Sequence, residues 1–457
     1  MTTIPLLLVI LLQGDYTRTI ERTFSIDASQ SLEIAHAMGD VTITAGDQPQ
    51  VQVIAEIEAK GEHAREFGER IELIVNDEPH RLSIHTRYPD GSSRAISYSV
   101  RMRVSMPAAH ALELASRSAT QRSAARDTVQ AAVSNGGLRV RDVGGQIDLT
   151  NAFGELDVAG CKGSVQVTSN SGSVQVRGVR DGGVHLRSGF GNTSITDVAG
   201  KVDAMVSNGD VVIEDVGGDL DVTTQFGKAS YQRIDGALRA TGNNGDVSAT
   251  QITGTARITA AFGKLVLDHV GRDAQVENHN GDVTASNIAG TLRVKGSFGA
   301  LSLDGVRGDC QVESTNGDVS IRDVGGNTTV RHGFGLVRVV RVDRDLAVDV
   351  HNGSIQADGV NYGSSRPDRG NRIDLAAEFG NIDVALPEPA AFRIDASTRI
   401  GTIDSSFELP NLERSLAGDT CRATLGEPVA AIKLTTHNGG IRIRKGPRTD
   451  VAAEALR

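Results

Sequence analysis

One pattern constrains this chain more than any other. Asn-Gly occurs at Asn208, Asn244, Asn280, Asn316 and Asn352, each 36 residues after the last. Phe-Gly occurs at Phe226, Phe262, Phe298 and Phe334, also 36 apart and offset from the first series by 18. Together they are one corner of an 18-residue coil, with Asn and Phe alternating before a fixed glycine. That glycine column runs from Gly136 through Gly154, Gly172, Gly191 and Gly209 to Gly353, with a single one-residue slip near Gly182. A glycine at one corner of every coil implies a positive φ, or an approach of backbone to backbone that leaves no room for a Cβ.

Other columns follow the same register. Val216, Ile234, Ile252, Val270, Ile288, Val306, Val324, Val342 and Val360 stand 18 apart and are all β-branched. Within a coil the apolar residues are Val211, Ile213 and Val216, then, past a Gly-Gly turn, Leu220 and Val222. That is two short strands of period two with a turn at each end. Such strands stack on their equivalents in the next coil as parallel ladders about 4.8 Å apart. No coil buries its apolar side alone, so its neighbours complete the core. The prediction is an all-β fold: a parallel β-solenoid (β-helix) of about 18 residues per coil with a β-rich N-terminal cap. Proline fits this, at 11 of 457 residues, because it interrupts central ladders.

The ends depart from the register. Ile4 to Leu12 reads IPLLLVILL, which suits a signal-peptide core and is too short to span a bilayer; a buried N-terminal strand is the alternative. Residues 1–14 are read as a signal peptide and 15–117 as the cap. In the cap VQVIAEI and YSVRMRVSM alternate as strands, Glu62 to Arg70 suits a short helix, and Gly39-Asp40-Val41-Thr42-Ile43 repeats the corner once. Residues 118–360 carry the regular coils. Residues 361–446 resume them with two insertions, Asn361 to Asn371 and Phe407 to Pro428, and 447–457 form a tail.

Three residue sets that suggest chemistry take structural roles in this register. Cys161 shares the column of Val143 and Val216, and Cys310 that of Leu220 and Leu346; both read as buried free thiols acting as small hydrophobes. Asp210, Lys228, Asp246, Lys264 and Asp282 alternate after the corner glycine and read as an exposed charge ladder. The Phe/Asn column reads as structural, Phe filling the corner and Asn bonding backbone at the next level. A buried ring there makes Phe262→Ala cost about 3–5 kcal/mol. A loss below about 1 kcal/mol would mark an exposed column and reopen a ligand-stacking role.

The chain resembles a bacterial domain family known as a "putative adhesin" of unknown function. The resemblance rests on Gly39 to Ile43, on the Asn-Gly-Asp-Val and Phe-Gly corners, and on Ala396-Ser397-Thr398-x-Ile400-Gly401-x-Ile403 with Leu434-Thr435-Thr436-His437-Asn438-Gly439-Gly440-Ile441. It implies an exported or cell-envelope β-solenoid and supplies no catalytic residues.

The expected function is therefore non-enzymatic: an exported protein of the periplasm or cell surface acting as adhesin, binding protein or scaffold, without a cofactor. Its partner is an envelope or surface protein or glycan. The net charge of −10 opposes a nucleic-acid footprint, and no later segment is apolar enough to span a membrane. A bactofilin-like filament former is the alternative. A glycan-active β-helix enzyme is a third reading; the carboxylate pair it offers is Asp197 and Asp215, one coil apart. Calcium-binding nonapeptide repeats are rejected, because Asp holds the corner only on alternate coils. The best candidate binding residues are Tyr362, Arg366 and Arg369, on the loop that interrupts the coils; a tolerated insertion is the alternative.

Overall fold

The computed structural model describes residues 15–27, 30–46, 49–89, 96–107, 112–113, 128–360 and 370–446. The fold is all-β, a parallel β-solenoid of about 18 residues per coil. Among the described residues the helix is Ala64–Glu69, and no helix is long and apolar enough to cross a membrane. The chain forms two compact units, residues 1–228 and 229–457.

In the first unit, Leu138, Leu156, Val174, Thr193 and Val211 are successive register partners. The steps are 18 residues except the one from Val174 to Thr193, which is 19. The same extra residue separates Val165 from Val184, so the slip seen in sequence is absorbed in one turn while both ladders stay in register. The cap is an antiparallel sheet of Asp15–Ser25, Gln50–Gly61 and Ile96–Pro107, with Ile20 opposite Ala55 and Ala55 opposite Met102. Val41–Gly46 bridges cap and coils. It runs parallel to Ile96–Pro107 on one side and to Leu138–Arg141 on the other, so residues 31–46 form the first coil, as their corner motif predicts. A satellite core of Ile20, Ala55, Ile57, Ile71 and Val100, flanked by Phe67, Tyr88 and Tyr98, anchors the cap to its helix.

In the second unit, Val247, Leu265, Val283, Leu301, Val319, Val337 and Ile355 stack in turn. Ile355 then pairs with Ile382, and that longer step passes over the first insertion. Chain order and spatial order part company after this point. Ala430–Asn438 lies between Asn371–Phe379 and Phe392–Ile400, parallel to both. Thr420–Leu425 then pairs antiparallel with Phe392–Ile400 and covers the ladder edge there, a protection exposed parallel edges need.

Inside each unit the period-2 pattern buries Val211 and Ile213, and likewise Leu265 and Leu267; Val216 and Val270 follow three residues on and are buried too. Full burial of such a side chain contributes about 1.5–3 kcal/mol, and repetition over coils accumulates it. Cys161, Cys310 and Cys421 are buried free thiols. Burial pushes Cys310 up to about 12 and Cys161 up to about 11, as the register predicts for thiols acting as hydrophobes.

Candidate functional site

The glycine corner determines what its neighbours can do. Gly263 has φ +115°, and a Cβ built on it would lie 2.6 Å from the Gly245 carbonyl carbon. Stacked backbone thus fills the inside of the corner, leaving no space there for a ring. The preceding Phe is turned outward. Phe153, Phe190 and Phe226 in the first unit are 53–57% exposed, and Phe262, Phe298, Phe334 and Phe379 in the second are 43–57% exposed. This overturns the expectation that Phe fills the corner. The strand alternation that buries Ala256, Ile258 and Ala260 breaks at the bend before Gly263.

Among the Asn partners, Asn208 follows the expectation. Asn208 Nδ2 donates to the Gly189 carbonyl one coil back at 3.3 Å. More often the acid after the glycine does this work. Asp210 Oδ1 accepts the Lys228 backbone N–H, and Asp246 that of Lys264, both at 2.9 Å. Asp282 and Asp318 accept from Ala300 and Leu336, where no lysine stands. The column is therefore a set of carboxylate-to-backbone clamps between coils.

In the second unit the outward residues form a stripe whose alternation holds in space. Phe298, Asn316, Phe334, Asn352 and Phe379 are successive register partners. Phe379 is followed by Asn438 and then by Ile400, which is 60% exposed. Chain order alone would set Phe379 beside Ile400; the inserted C-terminal coil restores Asn between them. His351 stands between Phe334 and Phe379, edge-on to both at 6.2 and 6.0 Å between centroids.

Beside the stripe runs a shallow trough of about 690 Å³. His279, Ser297, Thr315, Gly333 and His351 line it on the stripe side, Glu277, Lys295, Glu313, Arg331 and Asp349 on the other, and Gly296 lies in the column between them. The charges alternate by coil, with Lys295 Nζ 3.4 Å and Arg331 4.0 Å from Glu313. His332 is buried beneath; its pKa is lowered mainly by burial, with backbone groups at Ser314 and Phe334 opposing.

A second corner escaped the sequence reading. Asp142, Asp197, Asp215, Arg233, Gln251, His269, Asn287, Asp323 and Arg341 all have φ between 54 and 59°. Gly160, Gly178, Gly305 and Gly359 hold equivalent places with φ of 66–69°. The signal was present: Asp, Asn and Gly dominate the position before the β-branched column, and these residues tolerate the left-handed region best. Asp197 and Asp215 are thus exposed residues of this left-handed corner.

Near this corner Asp268 accepts from Ser286 Oγ (2.6 Å), Asn287 Nδ2 (2.8 Å) and His269 Nδ1 (2.5 Å). Burial pushes its carboxyl up, but these hydrogen bonds outweigh that and hold it below the usual range. The serine hydroxyl donates to the carboxylate, not to an imidazole, so the trio lacks the nucleophile–base contact of acyl-transfer sites. Among the described residues no three His, Cys, Asp or Glu side chains converge as a metal site. Tyr362, Arg366 and Arg369 lie outside the described residues, as does the segment read as a signal peptide.

The repeat and its corners agree with a family comparison. The family model described as Toastrack DUF4097 matches residues 29–271 and 231–444. The chain belongs to the Toastrack DUF4097 family. The family's name carries no activity, and the chain is a β-solenoid of unknown function. A solved structure, that of a "putative cell adhesion protein" from Clostridium sporogenes, is 6% identical, with 93% of this chain and 99% of that chain covered and a TM-score of 0.16. No curated protein matches the chain.

Proposed function

We propose that this chain is a non-enzymatic, exported cell-envelope β-solenoid that binds an envelope or surface partner through a repeated outer face, as an adhesin or scaffold does. The observation that carries this reading is the exposed Phe column, present in both units. Seven exposed Phe side chains recurring at the same corner of the coil, rather than scattered singly, are what a repeated interaction surface would present. Repetition supplies affinity through many equivalent weak contacts. End-to-end filament growth is opposed by the antiparallel strands at Asp15–Ser25 and Thr420–Leu425.

Fractionation of producing cells, with the mass of the N-terminus measured on the recovered protein, tests the reading. Recovery outside the cytoplasm without the Ile4–Leu12 segment is expected. Recovery in the cytoplasm with that segment intact would overturn it.

A further inference from the structure

We propose that the Phe stripe and trough of the second unit bind a neutral, extended, β-1,4-linked polysaccharide lying along the coil axis. This rests on the binding role proposed above and names its ligand class.

Period is the first argument. Phe298, Phe334 and Phe379 recur at every second coil, so successive rings stand about 9.6 Å apart, twice the spacing of neighbouring strands. That is close to the length of a disaccharide in an extended β-1,4-linked chain. In such a chain every second sugar turns the same face to a flat surface. The C–H-rich face of a pyranose packs on an aromatic ring, and a ladder of rings at this period meets the same face each time. The Asn between rings falls opposite the intervening sugar, where its amide can both donate to and accept from hydroxyls.

Chemistry of the trough is the second argument. Ser297, Thr315 and Gly333 keep its stripe side low over three coils, between His279 at one end and His351 at the other, which lets a ribbon-like chain lie flat beside Phe298 and Phe334. The far wall pairs carboxylates with cations, the pattern that takes hydroxyl groups in hydrogen bonds from both kinds of partner.

Charge is the third. The lining carries Glu277, Glu313, Asp349 and Glu378 against Lys295 and Arg331, together with His279, His332 and His351, the last facing Glu378. A net acidic trough repels nucleic acid, anionic glycans and anionic lipid surfaces, so a neutral chain fits it best. An α-1,4-linked chain curves and loses register with a straight ladder after the first ring or two.

Isothermal titration calorimetry with cellohexaose, chitohexaose and, as the curved control, maltohexaose tests this. Binding of at least one β-linked hexaose is expected, ten-fold or more tighter than maltohexaose and tighter than the corresponding disaccharide. Phe298→Ala and Phe334→Ala are each expected to weaken it ten-fold or more, with unchanged circular dichroism and melting temperature, and Phe334→Tyr to retain it. Absence of binding by both β-linked hexaoses would overturn the proposal. So would binding indifferent to the Phe substitutions or equal for maltohexaose. Self-association in sedimentation that Phe334→Ala abolishes would assign the stripe to a second copy of the chain and likewise overturn it. These failures leave the cellular location, and with it the broader binding role, to be judged separately by fractionation.

Discussion

At the scale of single residues, exposure decides between structural and functional roles. Phe262 is 53% exposed, so Phe262→Ala should cost less than about 1 kcal/mol in urea denaturation, where a buried ring would cost about 3–5 kcal/mol. The identity of this column was legible in sequence and its direction was not. Alternation projects Phe262 inward, and only the stacked corner backbone, visible in three dimensions, turns it out. Cys161 and Cys310 were legible, because most of their column mates are aliphatic; Cys421 was not, because it stands in an insertion outside the register. His36 makes the pH-dependent case. It is buried, with Nε2 2.8 Å from the Val100 carbonyl and Nδ1 3.0 Å from Thr86 Oγ1. Burial lowers its pKa below the ordinary value near 6.5, although hydrogen bonds to backbone and nearby Asp40 oppose this. The unfolded chain therefore binds a proton that the folded chain refuses. Stability from this group is complete above about pH 6.5 and is lost as pH falls below it. The urea midpoint should drop between about pH 7 and pH 5, and His36→Gln should flatten that drop.

At the scale of elements, the coil depends on its corners and its inward columns. Gly263→Ala puts a Cβ against the Gly245 carbonyl at a φ of +115°. Strain alone costs about 1–3 kcal/mol, and the clash adds to it, so a loss above about 2 kcal/mol is expected. Ile258, fully buried two strand positions before Ala260, should lose about 2–5 kcal/mol on truncation to Ala. A loss below about 1 kcal/mol at both sites, well under these ranges, would contradict the coil geometry. The first corner was legible because glycine is invariant along it. The left-handed corner carried a weaker signal, because Asp, Asn and Gly share it with side chains as unlike as Arg233 and Gln251. The C-terminal order was hidden for a different reason. Ala430–Asn438 inserts between earlier strands, and a repeat read along the chain assumes each coil stacks on the one before.

At the scale of the whole molecule, the repeat made the solenoid legible and left the proposed binding role illegible, because side chains that would touch a partner obey no packing rule. What survives at that scale is a repeated outer face on a chain whose native thiols are all buried. Burial raises the pKa of Cys161, Cys310 and Cys421, and thiolate is the form that reacts with maleimides. A Phe334→Cys variant therefore carries one reactive thiol, placed on the stripe. Labelling it in intact cells, with a charged maleimide that does not cross the cytoplasmic membrane, reads both the direction of the stripe and the location of the protein. Rapid labelling of the variant, with the unsubstituted chain unlabelled, is the expected result. A variant that labels only after the cytoplasmic membrane is broken, or not at all when purified and folded, would contradict it.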